Sequence, residues 1–343
     1  MTPLDLELAL DRLEAELAPE LAAHAAAHHA RALVDPHPPA PPWPAALLDG
    51  RAARLARVAA IDPVLRARAR TLGRWATAAA LDGDAGWRAA RAADRDPAGL
   101  AVRHRAFAAA AARLGHAGPR ALADAIHGPA PTEPVRLGTA PAREGGATTS
   151  LATWPALLAH LARTHGLDPA GLDVRDGRAA LTFVVAPGQA RCVIGPGRDP
   201  LDALLVAAHE LGHGLYAAQQ GGLPLGLAAP PARWFDEAMA AWAVRAVEED
   251  AELSEEAAAR RLARAALTVR LAAFEAELLD GAGVDAAAAR HVPGLRLAEV
   301  PALFDEPGVM ASYHAAAQAT VAPAAGELRA WARAGAALYD GAP

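Results

Sequence analysis

The segment His209-Glu210-Leu211-Gly212-His213 has the residue types and spacing of a hydrolytic metal centre. On a helix, residues four apart share a face, so His209 and His213 project side by side and can both reach one zinc ion at about 2.0–2.1 Å. Glu210 projects from the adjacent direction, where it contacts a metal-held water without being a ligand. Zinc lowers the pKa of that water from about 15.7 towards about 7, and a carboxylate beside it takes the proton as the water attacks a carbonyl. Two imidazoles leave such a site one ligand short. A third histidine six residues after the second would occupy position 219, which is Gln219, so that arrangement is excluded. The other solution is a carboxylate from a following helix. Asp236 and Glu237, in Arg233-Trp234-Phe235-Asp236-Glu237-Ala238, are the adjacent candidates. Glu237 lies 24 residues beyond His213, which allows a loop and then an antiparallel helix returning past the metal.

The elements that must position these groups can be read from the neighbouring sequence. Asp199 can cap a helix, Pro200 fits its first position, and the apolar series Leu201, Leu204, Leu205, Ala208 runs on to a stop at Gly221-Gly222. Just upstream, Leu172 to Val174, Ala180 to Ala186 and Ala190 to Ile194 are separated by Arg175-Asp176-Gly177-Arg178 and Pro187-Gly188-Gln189. This pattern predicts a small antiparallel β-meander beside the motif helix, with the 190–194 strand as the edge along which a peptide would extend. Leu4 to about Val34 has helical spacing, and the proline-rich stretch 35–44 reads as a rigid connector. Residues 45–125 are again helical, with Asp62-Pro63, Asp82-Gly83-Asp84 and Asp96-Pro97 able to start or cap helices. The expected fold is mainly α, with two helical lobes around an active-site cleft. An N-terminal helical lobe (1–127) and a zinc-binding catalytic region (151–343) are joined by a Gly/Pro/Thr-rich linker (128–150).

Composition narrows the function classes. With 343 residues, 53% of them hydrophobic, the chain can bury a real core. Its net charge of -6 provides no basic stripe, which argues against a nucleic-acid partner and for peptides or small molecules. The sequence contains neither lysine nor asparagine, so all 33 cationic residues are arginine and arginine clusters carry little functional weight. The single cysteine, Cys192, agrees with a reducing compartment. The N-terminal segment carries acid where a signal peptide carries positive charge, and no apolar run approaches the roughly 20 residues of a membrane span. The expectation is a cytoplasmic protein without nucleic-acid or membrane partners, its oligomeric state left open.

The motif region resembles the glutamate-zinc peptidases (gluzincins), most closely the carboxypeptidase Taq family and more distantly angiotensin-converting enzyme and thimet oligopeptidase. The residues that carry the likeness are His209-Glu210-Leu211-Gly212-His213-Gly214-Leu215-Tyr216, then Gly222-Leu223-Pro224, and Phe235-Asp236-Glu237-Ala238. The likeness covers about 130 residues, from Ala190 to about Gln318. It implies a zinc peptidase of carboxypeptidase or oligopeptidase type with Glu237 as third ligand. It also implies a late tyrosine that hydrogen-bonds the developing oxyanion. Tyr313, in Gly308-Val309-Met310-Ala311-Ser312-Tyr313-His314, matches best, ahead of Tyr216 and Tyr339, with His314 and then His291 as second donors. The chain departs from the family pattern at Asp236, where the family has histidine, and at Ala217-Ala218, where it has Glu-Gln.

Other features read as structural. His24, His28 and His29 form a solvated face of an alanine-rich helix, Cys192 is a small core residue, and Trp234 and Trp242 flank Glu237 where they can line a cleft. The acidic run 248–256 is a polar turn in which Ser254 caps the next helix. Two alternatives keep the metal: a specialised biosynthetic hydrolase acting on one modified peptide or amide, and an inactive zinc-stabilised binding protein. The intact Glu210 argues against the latter, since a structural site needs no base.

Overall fold

The computed structural model describes residues 2–36, 38, 43–58, 62–137, 153–230, 232–247, 254–321 and 327–328. It begins with helices α1 (Pro3–Ala32), α2 (Ala45–Leu48), α3 (Arg51–Val58), α4 (Pro63–Gly83), α5 (Ala85–Arg91), α6 (Pro97–Arg113) and α7 (Pro119–His127). Then come β1 (Arg136–Leu137), α8 (Trp154–His165), β2 (Leu172–Asp176), β3 (Leu181–Ala186) and β4 (Gln189–Ile194). The motif helix α9 (Pro200–Ala218) is followed by α10 (Leu225–Ala228), α11 (Arg233–Val247), α12 (Ser254–Leu279), α13 (Val284–His291), α14 (Pro301–Asp305), α15 (Met310–Gln318) and β5 (Thr320–Val321). The fold is mainly α, as the sequence predicts. No helix among the described residues is long and apolar enough to cross a membrane.

An Asp-Pro pair recurs as the helix-starting device. Asp62, Asp96 and Asp199 each accept backbone N–H groups of the first turn, and the following proline occupies a position whose N–H has no helical partner. Asp84 likewise caps α5 by accepting the Trp87 N–H. Behind these caps lie apolar stripes at helical spacing. Leu6, Leu10, Leu13 and Leu17 of α1 pack with Leu65 and Leu72 of α4. Leu100 of α6 shares a cluster with Phe274, Phe304 and Met310. The linker expected at 128–150 falls largely on residues 138–150, outside the described residues.

The small sheet differs from the predicted meander. Its order is β2-β4-β3, with β4 antiparallel to β3 but parallel to β2. Burial explains the order. Ala190, Cys192, Val193 and Ile194 make β4 the most buried strand, and it takes the centre. The chain leaves β2 past the end of β4, where the Gly177 N–H donates to the Ile194 carbonyl, and the Ala32 carbonyl of α1 accepts the N–H groups of Arg178 and Ala179. The edge strands are therefore β2 and β3, and residues 190–194, paired on both sides, cannot receive an added strand.

Candidate metal centre

Three helices and the sheet converge on the motif. Helix α9 is clamped between α11 and the sheet, and two glycines permit the approach. A Cβ on Gly212 would lie 2.6 Å from the Met239 carbonyl oxygen and 2.7 Å from Ala240 Cα of α11. A Cβ on Gly214 would lie 2.6 Å from both Cys192 Sγ and Leu172 Cδ1 of the sheet. Gly214 is thus matched to the volume of Cys192.

The clamp brings His209, His213 and Glu237 together, with one ligand atom from each lying within 4.8 Å of the others. His209 Nε2 is 3.3 Å from His213 Nε2 and 3.5 Å from Glu237 Oε2. Donor atoms about 2.05 Å from a common tetrahedral centre are about 3.3 Å apart, so both separations from His209 Nε2 suit one ion. The Glu237 side chain is 2% exposed, and neither of its oxygens accepts a hydrogen bond among the described residues. Leaving a buried carboxylate without hydrogen bonds is costly, and the nearby Arg233 guanidinium offsets that cost at Oε1 rather than at Oε2. Arg233 Nε lies 3.1 Å from Oε1 as an ion pair, so Oε2 is the oxygen turned to the histidines. The cluster could hold a metal ion.

Asp236, adjacent to Glu237, has a different task. Its Oδ1 is 2.8 Å from His213 Nδ1. A carboxylate accepts only, so Nδ1 carries a proton and Nε2 is the nitrogen turned to the cluster, where a metal ion would take the place of its proton. Burial penalises charge on His213, but Asp236, then Glu237 and Glu210, outweigh it and lift the group to about 9. Burial holds His209 well below its ordinary value, with the neighbouring His213 pushing the same way.

Glu210 is buried on the α9 surface facing the sheet. Thr182 of β3 lies 2.8 Å from Glu210 Oε2 and 3.0 Å from its carbonyl oxygen. A hydroxyl has one proton. The charge-assisted bond to Oε2 is the shorter, and the Cys192 thiol, 3.3 Å from the same carbonyl, donates there instead. Burial raises Glu210 to about 7, against the pull of His213 and the Thr182 hydrogen bond. A carboxyl poised near neutrality is suited to taking and returning a proton. Burial also drives the Cys192 thiol up, so it is an inert core group.

Arg233 gathers the remaining groups. Its Nη2 is 3.5 Å from the Tyr313 hydroxyl and 3.6 Å from Glu306 Oε2, and its Nη1 is 3.9 Å from Asp236 Oδ2. Tyr313 is therefore one guanidinium away from Glu237. Burial raises its phenol, so it stays protonated and able to donate. His314 Nε2 meets Gln318 of its own helix at 3.1 Å, and among the described residues no hydrogen bond or ion pair joins it to the cluster. His291 of α13 meets Glu277 of α12 at 2.9 Å. Tyr216 is fully buried in the core, Trp234 and Trp242 are core residues too, and Tyr339 lies outside the described residues.

Sequence reading missed Thr182, Arg233 and Glu306, and it treated Asp236 only as a rival ligand. The available signal for Arg233 was its spacing, three and four residues before Asp236 and Glu237 on one helix. The expected solvated face at His24, His28 and His29 is also corrected. His29 is buried, and His28 packs on Phe183 of β3 with ring centroids 4.9 Å apart, because α1 lies against the sheet.

A cleft of about 1000 Å³ is lined by His28, Trp43, Arg74, Thr182, Arg233 and Asp236, and so reaches the partners of the cluster residues. No protein-family model matches the chain, and no curated protein sequence matches it. The chain is similar to a solved structure of Pyrococcus furiosus carboxypeptidase in an Apo-Mg form. The TM-score is 0.49 and the identity 13%, over 92% of this chain and 85% of that one.

Proposed function

We propose that the protein is a zinc-dependent peptidase that hydrolyses peptide bonds of short peptides bound in the cleft. The observation that carries this reading is the cluster of half-buried His209 and His213 with buried Glu237, whose partners Asp236 and Arg233 line a large cleft together with Thr182, the hydrogen-bond partner of Glu210. Two imidazole nitrogens and one carboxylate oxygen, with a fourth position left open, form the donor set of catalytic zinc sites, whereas structural sites close all four positions. Bound there, zinc supplies Lewis-acid polarisation of a carbonyl and lowers the pKa of water towards about 7.

The chain's own residues do the rest. His209 binds as the neutral imidazole that burial favours. Asp236 fixes the His213 ring so that Nε2 faces the ion, and Arg233 holds Oε1 of Glu237 so that Oε2 does the same. Thr182 anchors Oε2 of Glu210. Oε1 is then the atom that takes a proton from the attacking water and returns it to the leaving amine. The protonated Tyr313, oriented by Arg233, donates to the developing oxyanion, a contribution of roughly 2.7–4 kcal/mol. The peptide lies extended beside β3, the sheet edge that lines the cleft, and adds a strand there.

The test is zinc content and cleavage of a mixed peptide library, by mass spectrometry of products, for the wild type and Glu210→Gln. The variant should keep its zinc and lose cleavage by about 10²–10⁴-fold. Full zinc occupancy with equal activity in both proteins would overturn the assigned mechanism.

A further inference from the structure

Consecutive residues of a strand point to opposite faces. In β3, Thr182 reaches Glu210 on the α9 face, whereas Phe183 packs on the α1 face with His28. A peptide extended beside β3 follows the same alternation. When one of its residues lies over the metal cluster, a neighbour presents its side chain to the α1 face.

That face of the cleft is a row of rings. Phe183 and His28 have centroids 4.9 Å apart, His28 and His24 stack at 6.4 Å with 26° between planes, and His24 lies 5.6 Å from Trp43. All four line the cleft. The Trp43 ring is pinned by its Nε1–H, which donates to Asp82 Oδ2 at 2.8 Å, while Arg91 holds Asp82 Oδ1 at 2.9 Å. Burial lowers both His24 and His28, so the row is uncharged at neutral pH. An uncharged ring wall, half-buried and continuous with the strand that anchors Glu210, favours another ring over an aliphatic or charged side chain.

We propose that His28, His24 and Trp43 form a subsite for an aromatic side chain of the substrate, adjacent to the residue held over the metal cluster. This rests on the peptidase reading above.

Peptides identical except for Phe, Ala or Glu at one position on either side of the cleaved bond test it. They are compared on wild type, Trp43→Ala and His24→Ala by kcat/KM, and by calorimetric binding to Glu210→Gln with and without Trp43→Ala. The wild type should favour the Phe peptide over the Ala peptide by roughly tenfold, with the ratio falling to about twofold or less in Trp43→Ala and His24→Ala. An unchanged ratio in variants that melt like the wild type would overturn the subsite while leaving the peptidase reading intact. If zinc-loaded wild type cleaves none of the peptides, the peptidase reading falls and calorimetry decides alone. Tighter binding of the Phe peptide that Trp43→Ala abolishes supports the subsite, and equal binding of all three peptides removes it. His24→Ala, at a half-buried position, keeps the question answerable should Trp43→Ala fail to fold.

Discussion

A methyl group on Gly212 would place its carbon 2.6 Å from the Met239 carbonyl oxygen, 2.7 Å from Ala240 Cα and 3.0 Å from Ala243 Cβ. The first two are backbone atoms of α11, so no side-chain rotation relieves the overlap. Ordinary contact begins near 3.4 Å, about 0.8 Å beyond the tightest of these distances, and the two helices must part by a comparable amount. Glu237 is carried on α11 while His209 and His213 are carried on α9. The His209–Glu237 separation of 3.5 Å therefore opens with the helices, against a tolerance of about ±0.2 Å for metal–ligand distances. Gly212→Ala should lose about 1–3 kcal/mol of stability from overpacking. Its zinc affinity should fall by about 100-fold or more, beyond the usual cost of losing an outer-shell partner. Chelator-competition titration measures the affinity, and thermal melting the stability. Gly83→Ala, where an added Cβ meets nothing within 4 Å, is the control and should bind zinc normally. If Gly212→Ala binds zinc as tightly as the wild type, the α9–α11 contact does not set the ligand spacing.

Asp236→Asn retains the shape of the His213 partner but removes its charge, so zinc affinity should drop about 10–100-fold by competition titration; an unchanged affinity would show that Asp236 does not orient His213. Glu275, buried on α12, accepts the N–H groups of Gly308 and Met310 and is raised by burial to about 8. Because that value exceeds its unfolded 4.5, its stabilising contribution is full below pH 4.5 and is lost as pH rises through about 8, a change of order a few kcal/mol. The wild type's advantage in melting temperature over Glu275→Gln should therefore shrink between pH 5 and pH 9, whereas a constant advantage would refute this. Arg68, only 4% exposed, donates to the buried Glu14 that also holds the N–H groups of Leu225 and Gly226. Arg68→Ala strands that charge and should cost about 3–5 kcal/mol in urea unfolding, a figure that a near-neutral result would contradict.

What could be read from the sequence was what local chemistry decides. Asp199-Pro200 announced the start of α9, histidines four apart announced a shared face, and the Pro187-Gly188 turn announced the β3–β4 hairpin. The strand spans were legible, but their order was not, since it depends on β4 being covered from both sides once α1 and α9 are in place. The same limit applies to Asp236 and Glu237. Adjacent acids differ by about 100° around a helix, and which one meets the ligand atoms and which meets His213 Nδ1 depends on how α11 lies on α9. Arg233 could not be singled out among 33 arginines because its distinction is purely spatial, a guanidinium among Glu237, Glu306 and Tyr313. His24 and His28 looked like a solvated face because α1 is alanine-rich on every side, and only the packed sheet reveals which side is covered.

The proposed function stands on zinc held by His209, His213 and Glu237. Its most direct measurement is the zinc stoichiometry of purified wild type, Glu237→Ala and Glu210→Gln, taken by elemental mass spectrometry after dialysis against zinc-free buffer. The geometry predicts one zinc per chain in the wild type and in Glu210→Gln, and little or none in Glu237→Ala. Equal retention in Glu237→Ala, or a wild type that holds no zinc, would contradict it.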